Sequence, residues 1–177
     1  MTATTNQNTS LELANALLMK AREASIPVSA ATLQQLVYLA SGWNLAINSR
    51  PLILDQPEAW PIGAIYRRLY QALQRHGDKP VPDLVQFGDD LPTDKPETGV
   101  PAIGYFTHQE YAVIDKTWTT YGSYDSDDLT RQTRGPGTPH ARFFQPGRSI
   151  LMPVEAVREY FVTLAKAGRD RGVPPVA

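Results

Sequence analysis

Apolar residues recur along this chain mostly at helical spacing. Leu13, Leu17 and Ala21, with Ala14 and Leu18 beside them, predict a first helix to about Ala24. It opens on Thr9-Ser10-Leu11-Glu12, which has the spacing of a capping box. Ile26-Pro27-Val28 breaks it, and Ser29 is a good N-cap for the next helix. There Leu33, Leu36, Val37, Ala40, Trp43 and Ile47 form one stripe, and Leu39 and Ala46 a second. A helix apolar on two faces belongs in the middle of a domain. Gly42 costs it about 1 kcal/mol relative to alanine, which predicts close approach by another backbone.

The segment 52–54 reads as extended, as does Trp60 ahead of Pro61. Pro61 suits the first turn of a third helix. Its stripe would be Ile62, Ile65, Tyr66, Leu69 and Leu73, with Arg67, Arg68, Gln71, Gln74 and Arg75 facing water and Gly77 just past its end. Residues 78–104 are rich in Pro, Gly and Asp and predict a long loop, with at most a short strand over 84–87. A second capping box, Thr107-His108-Gln109-Glu110, starts a helix using Tyr111, Ile114 and Trp118. Ser126, followed by Asp127 and Asp128, is the expected cap of a short fifth helix. Pro153 opens a final helix with Val154, Val157, Phe161 and Leu164 inward and Gly168 at its end. The expected architecture is mainly α: a single compact multi-helix domain over 10–168, with long loops, at most short minor strands, and flexible tails over 1–9 and 169–177.

Composition narrows the chemistry. The 177 residues suit one domain, and 42% hydrophobic content suits a packed core. A net charge of −1 argues against non-specific nucleic-acid binding over the whole surface. Cysteine is absent, so disulfides, thiolate catalysis and cysteine-held metals drop out. No apolar run is long enough to span a bilayer and residues 1–10 carry no secretory pattern, which together predict a cytoplasmic protein.

No catalytic constellation emerges, and the expectation is a protein that is not an enzyme and uses no cofactor. His76, His108 and His140 lack the spacing that sets two metal ligands on one helix face. In Gly135-Pro136-Gly137-Thr138-Pro139 the two prolines remove the N–H groups a phosphate cradle needs, so a turn is expected. Asp89-Asp90 and Asp127-Asp128 have no acid–base partner nearby in sequence. One charge pattern does stand out. No acid lies between Asp128 and Glu155, while Arg131, Arg134, Arg142 and Arg148 do, interleaved with His140, Phe143 and Phe144. Residues 83–97 are dominated by acids. Two readings stand: the two surfaces meet within the fold or are simply solvated, or Arg131, Arg134, His140, Arg142 and Phe143 face an acidic partner or a phosphate.

The run from Thr32 to Ala46, with its Leu33, Leu36, Tyr38 and Gly42-Trp43, resembles the Panacea domain, also called the SocA-like domain. The resemblance continues through Glu58-Ala59-Trp60, Gly63-Ala64-Ile65, Leu69-Tyr70 and Tyr121-Gly122-Ser123-Tyr124. Ala64 stands where that family usually has proline in a Gly-Pro-Val turn, and Gln35 where lysine is common. Thr133-Arg134 and Pro139-His140 replace its Thr-His and Pro-Trp pairs. The resemblance implies a helical antitoxin from bacterial and prophage toxin–antitoxin systems, neutralising a cognate toxin by direct protein–protein binding. It implies that the toxin is encoded by the adjacent gene and is of diverse type, small alarmone-synthetase-like translation inhibitors included. One branch of the family is associated with delivery of the toxin to a protease. The alternatives are a proteolytic adaptor, with a protease or chaperone as further partner, and a nucleic-acid-binding module using the basic stretch 131–148. The motif residues Leu33, Leu36, Tyr38, Trp43, Glu58, Trp60, Gly63, Leu69 and Tyr70 read as structural.

Overall fold

The computed structural model describes residues 7–92 and 98–170. Two helices open the chain, α1 (Ser10–Glu23) and α2 (Ala30–Asn48). Thr9 and Glu12 close the predicted capping box on α1, and Ser29 caps α2 by accepting from the Thr32 N–H. Strands β1 (Glu58–Trp60) and β2 (Gly63–Ile65) come next, then α3 (Arg67–Leu73) running into a 3₁₀ turn at Gln74–His76. After a long loop come α4 (His108–Tyr121), α5 (Ser126–Arg134), α6 (Pro139–Phe143), β3 (Ile150–Leu151) and α7 (Val154–Asp170). The protein is mainly α, with one small antiparallel sheet in the order β2-β1-β3.

The two-faced helix α2 is the axis of the domain, packed by α1, α3, α4, α5, α7 and β2. Leu33, Leu36, Val37 and Ala40 are wholly buried along it, with Tyr38 and Trp43 beside them. Gly42 is approached by a ring, not by the backbone expected from sequence. A β-carbon there would overlap the Phe161 side chain of α7.

Several boundaries differ from the sequence reading, each for a local reason. The third helix begins at Arg67, not Pro61. Pro61 and Ile62 instead form the tight turn of the β1–β2 hairpin, in which Trp60 pairs with Gly63. Proline presets the φ of a turn as well as it does that of a helix's first residue, and Gly63, at φ +129°, takes the backbone angle that lets the strand return. Ile62 therefore lies outside the core. Asp125, not Ser126, caps α5. The stretch 135–139 turns as expected, but Thr138 then caps the unanticipated α6, with Pro139 at its start. Helix α7 continues past Gly168 to Asp170. In α4 the buried residues are Glu110, Val113, Ile114, Thr117 and Tyr121, while Tyr111 is exposed. Residues 52–54 form no strand, and the candidate strand at 84–87 reduces to an isolated bridge between Gln86 and Pro101.

The long loop is held to α1 by asparagines. Within the core, the Asn15 amide donates to the carbonyls of Val85 and Ala102 at 2.7 and 2.8 Å and accepts from the Val85 N–H at 2.8 Å. Asn8 donates to the Tyr105 carbonyl at 2.7 Å, and its own carbonyl accepts from the Leu54 N–H. Of the expected tail over 1–9, residues 1–6 lie outside the described residues, as do 171–177 at the other end; Asn8 is buried. Stranding a buried amide partner costs about 1–3 kcal/mol. Replacing Asn15 with leucine is therefore expected to lower unfolding free energy by at least about 2 kcal/mol, measurable by urea titration, and to raise hydrogen exchange at Val85.

Candidate partner-binding surface

The basic stretch folds as α5 and α6, laid against the hairpin. In α5 the apolar anchor is Leu129, with Thr133 one turn on; both are buried against α2. Thr133 Oγ1 donates to Gln35 Oε1 at 2.7 Å, while the other end of that amide crowds Gly63, where a β-carbon would lie 2.7 Å from Gln35 Nε2. With those positions turned inward, helical geometry directs Arg131 and Arg134 outward, and both are exposed. Arg131 pairs with Asp128 on its own helix. Arg134 leans across the hairpin, its Cδ 3.8 Å from where a β-carbon of Gly63 would be.

The five sequence candidates separate. Arg131, Arg134 and Arg142 are exposed, and Phe143 is half-buried with the Arg142 guanidinium 5.1 Å from its ring centre. His140 is 3% exposed and does not belong to the outer surface. Its Nε2 lies 2.6 Å from the Trp60 carbonyl, and its ring stacks on Phe144. A carbonyl can only accept, so Nε2 carries the proton and the imidazole ties α6 to β1. Burial pushes its pKa below the ordinary 6.5, and the charge of Arg134 adds to this, while the bond to Trp60 works the other way.

The sign of the linkage follows. With the folded-state pKa depressed, the unfolded chain takes the proton first as pH falls. The stability due to a neutral His140 is full above pH 6.5 and declines from there towards the lower folded-state value. His140→Gln keeps an N–H donor for Trp60 but does not titrate. It is expected to show a shallower loss of stability between pH 7.5 and 5.5, with all other titrations common to both proteins.

The described acids of the long loop make no ion pair with this surface. Asp89 pairs with Arg75, Asp90 with Arg68 and Asp83 with Arg22, so α1, α3 and the 3₁₀ turn after it take them up. Asp94, Lys95 and Glu97 lie outside the described residues. Among the described residues, Arg134, Arg142 and Arg148 have no carboxylate partner. Among the described residues the acidic and basic segments do not pair, which leaves the basic residues facing solvent or a partner.

The motif residues sit behind this surface. Leu33, Leu36, Tyr38, Trp43 and Leu69 are core. Glu58 is buried, accepting from Trp60 Nε1 at 2.6 Å and from Arg67 through both its oxygens at 3.0 and 2.8 Å. Trp60 meets the ring of Tyr70 at a tilt, centroids 4.9 Å apart, and is covered by Arg67 at 5.3 Å. Gly63 is buried, and Tyr70 is partly exposed at 37%. Ala64, Arg134 and His140, three positions that set this sequence apart from the family pattern, all meet at the hairpin: in β2, over Gly63 and on the Trp60 carbonyl.

Tyr105 and Ile62 are among the exposed apolar residues that sequence reasoning missed. Tyr105 is 92% exposed although Asn8 holds its backbone on both sides, and Ile62 projects from the hairpin at 56%. No local signal separates Tyr105 from the buried Phe106 beside it. Among the described residues, no cluster of three or more His, Cys, Asp or Glu is placed to hold a metal, and no helix is long and apolar enough to cross a membrane.

A helical domain with a basic outer face, and with its motif residues spent on the core and hairpin, is what comparison identifies: residues 33–138, more than half the chain, match the family described as Antitoxin SocA-like, Panacea domain. The protein belongs to that family. It is also similar to the curated protein Antitoxin SocA of Caulobacter vibrioides (strain NA1000 / CB15N), 39% identical over 67 residues. That match covers 38% of this chain and only 36% of the relative's length. No solved structure matches.

Proposed function

We propose that this protein is an antitoxin: a non-enzymatic, cytoplasmic binding protein that neutralises a cognate toxin by direct contact, the toxin being encoded by the adjacent gene. The observation that carries this reading is the pair of guanidinium groups Arg134 on α5 and Arg142 on α6, without a carboxylate partner among the described residues and with Arg131 exposed beside them, on a domain of an antitoxin family. Surface arginines left unpaired by their own fold suit an acidic partner surface, where they steer encounter and fix register. Arg131, Arg134, Arg142 and Phe143 are the contact residues. His140 contributes indirectly by fixing α6 to the hairpin. Toxin type is not constrained by this geometry, because recognition of a carboxylate-bearing surface is independent of what the toxin's own active site does.

Co-expression tests the function. The adjacent gene alone is expected to arrest growth, and this protein to restore growth and co-purify with the gene product. Growth restored without a complex would overturn direct neutralisation, and a harmless neighbour would overturn the antitoxin role.

A further inference from the structure

The hairpin tip, α3 and the start of α2 bound a cleft of about 240 Å³, lined by Ala30, Ala31, Gln34, Ile62, Ile65 and Tyr70, with the buried Leu73 beneath. Its exposed large apolar walls are Ile62, at 56%, and Tyr70, at 37%. Small-molecule sites run to roughly 300–1,000 Å³. This one is smaller and suits one or two apolar side chains of a protein.

The walls are held rigidly. Gln34 donates to the Tyr66 carbonyl at 3.2 Å and accepts from the Tyr66 N–H at 3.0 Å, which fixes the base of the hairpin. His140 holds the Trp60 carbonyl. Tyr70 leans on Trp60, itself clamped between Arg67 and Glu58. Little ordering entropy therefore remains to be lost on binding, the condition under which an aromatic or aliphatic rim becomes an anchor site. Charge selects the occupant. Arg134 lies across Gly63, one residue from Ile62, without a carboxylate partner among the described residues, so the hairpin end of the cleft is cationic. Among the described residues lining it, Asp78 is the one acid.

We propose that this cleft is the anchor pocket of the toxin interface: it receives an apolar side chain of the toxin from a segment that also presents a carboxylate to Arg134. The proposal rests on the antitoxin reading and adds the pocket and the chemistry of the segment that fills it. Arg134 belongs to both features, making the hairpin tip continuous with the basic surface of α5 and α6.

The adjacent-gene product, purified with an inactivating mutation in its own active site, serves as the probe. Ala31→Trp fills the cleft from an exposed position, and Ile62→Asp sets an acid on its rim; each is expected to weaken binding at least tenfold with an unchanged melting temperature. Met19→Ala, on the exposed side of α1, is expected to bind like the wild type. Hydrogen exchange on the unmodified complex removes dependence on any variant: the amides of Ile62, Gly63 and Tyr70 are expected to gain protection. Wild-type binding with both variants within twofold of it, or protection confined to other surfaces, overturns the pocket and leaves the antitoxin reading standing. Absence of wild-type binding overturns both.

Discussion

Phe161→Ala is expected to destabilise the protein by about 3–5 kcal/mol, the usual range for deleting a buried phenylalanine. The ring is 1% exposed and sits where α7 crosses α2. It meets Tyr38, Trp43 and Tyr160 edge-on, with centroids 5.7, 5.1 and 5.4 Å apart. Edge-to-face pairs add about 0.5–1.5 kcal/mol each beyond area buried. The site has little means of collapse, because the wall opposite the ring is the backbone of Gly42, with no side chain to move into the space. Urea unfolding measures the loss. Quenching of Trp43, whose Nε1 donates to Tyr121 Oη, is expected to increase as the cavity opens. The reciprocal change, Gly42→Ala, gains about 1 kcal/mol of helix propensity but drives a methyl group into the ring. Overpacking of this kind costs about 1–3 kcal/mol, so the net sign is destabilising. Equal or greater stability of Gly42→Ala would show that the ring is not seated there.

Reversing charge at Arg131 and Arg134 together is expected to weaken toxin binding by at least about thirtyfold, roughly the 2 kcal/mol of a hot-spot arginine. The fold is expected to tolerate it. Both side chains are exposed, and the one ion pair lost, Arg131 with Asp128, is a surface pair of the kind worth about 0–1 kcal/mol. Wild-type affinity is expected to fall with added salt, and the variant's to fall less, because screened steering is the part removed. Calorimetry at two ionic strengths measures both effects. Full neutralisation by the double variant would place the interface elsewhere, with the exposed Tyr105 the next surface to examine.

What the sequence revealed and what it hid divide along contact range. The capping boxes at Thr9–Glu12 and Thr107–Glu110 join residues three apart, and both form as read. The centrality of α2 was legible because two apolar faces require neighbours on both sides. The hairpin was not legible, since Pro61 satisfies a turn and a helix start equally and only pairing of Trp60 with Gly63 decides between them. Helix α6 is five residues long and too short for periodicity to register. At the surface, the run of arginines was evident, but the removal of His140 from it depends on the Trp60 carbonyl, eighty positions away. The loop's attachment to Asn15 and Asn8 spans seventy residues or more and leaves no local trace.

The Gln34 clasp on Tyr66 bears on behaviour in concentrated solution. Just past β2, the Tyr66 N–H and carbonyl are both engaged by one side-chain amide, which stands in for a neighbouring strand. An open strand edge is a template on which further chains can add. A single glutamine thus opposes strand addition at the end of the β2 edge. Gln34→Leu would keep similar bulk yet unseal that edge, and clouding or oligomer growth on storage would be its signature.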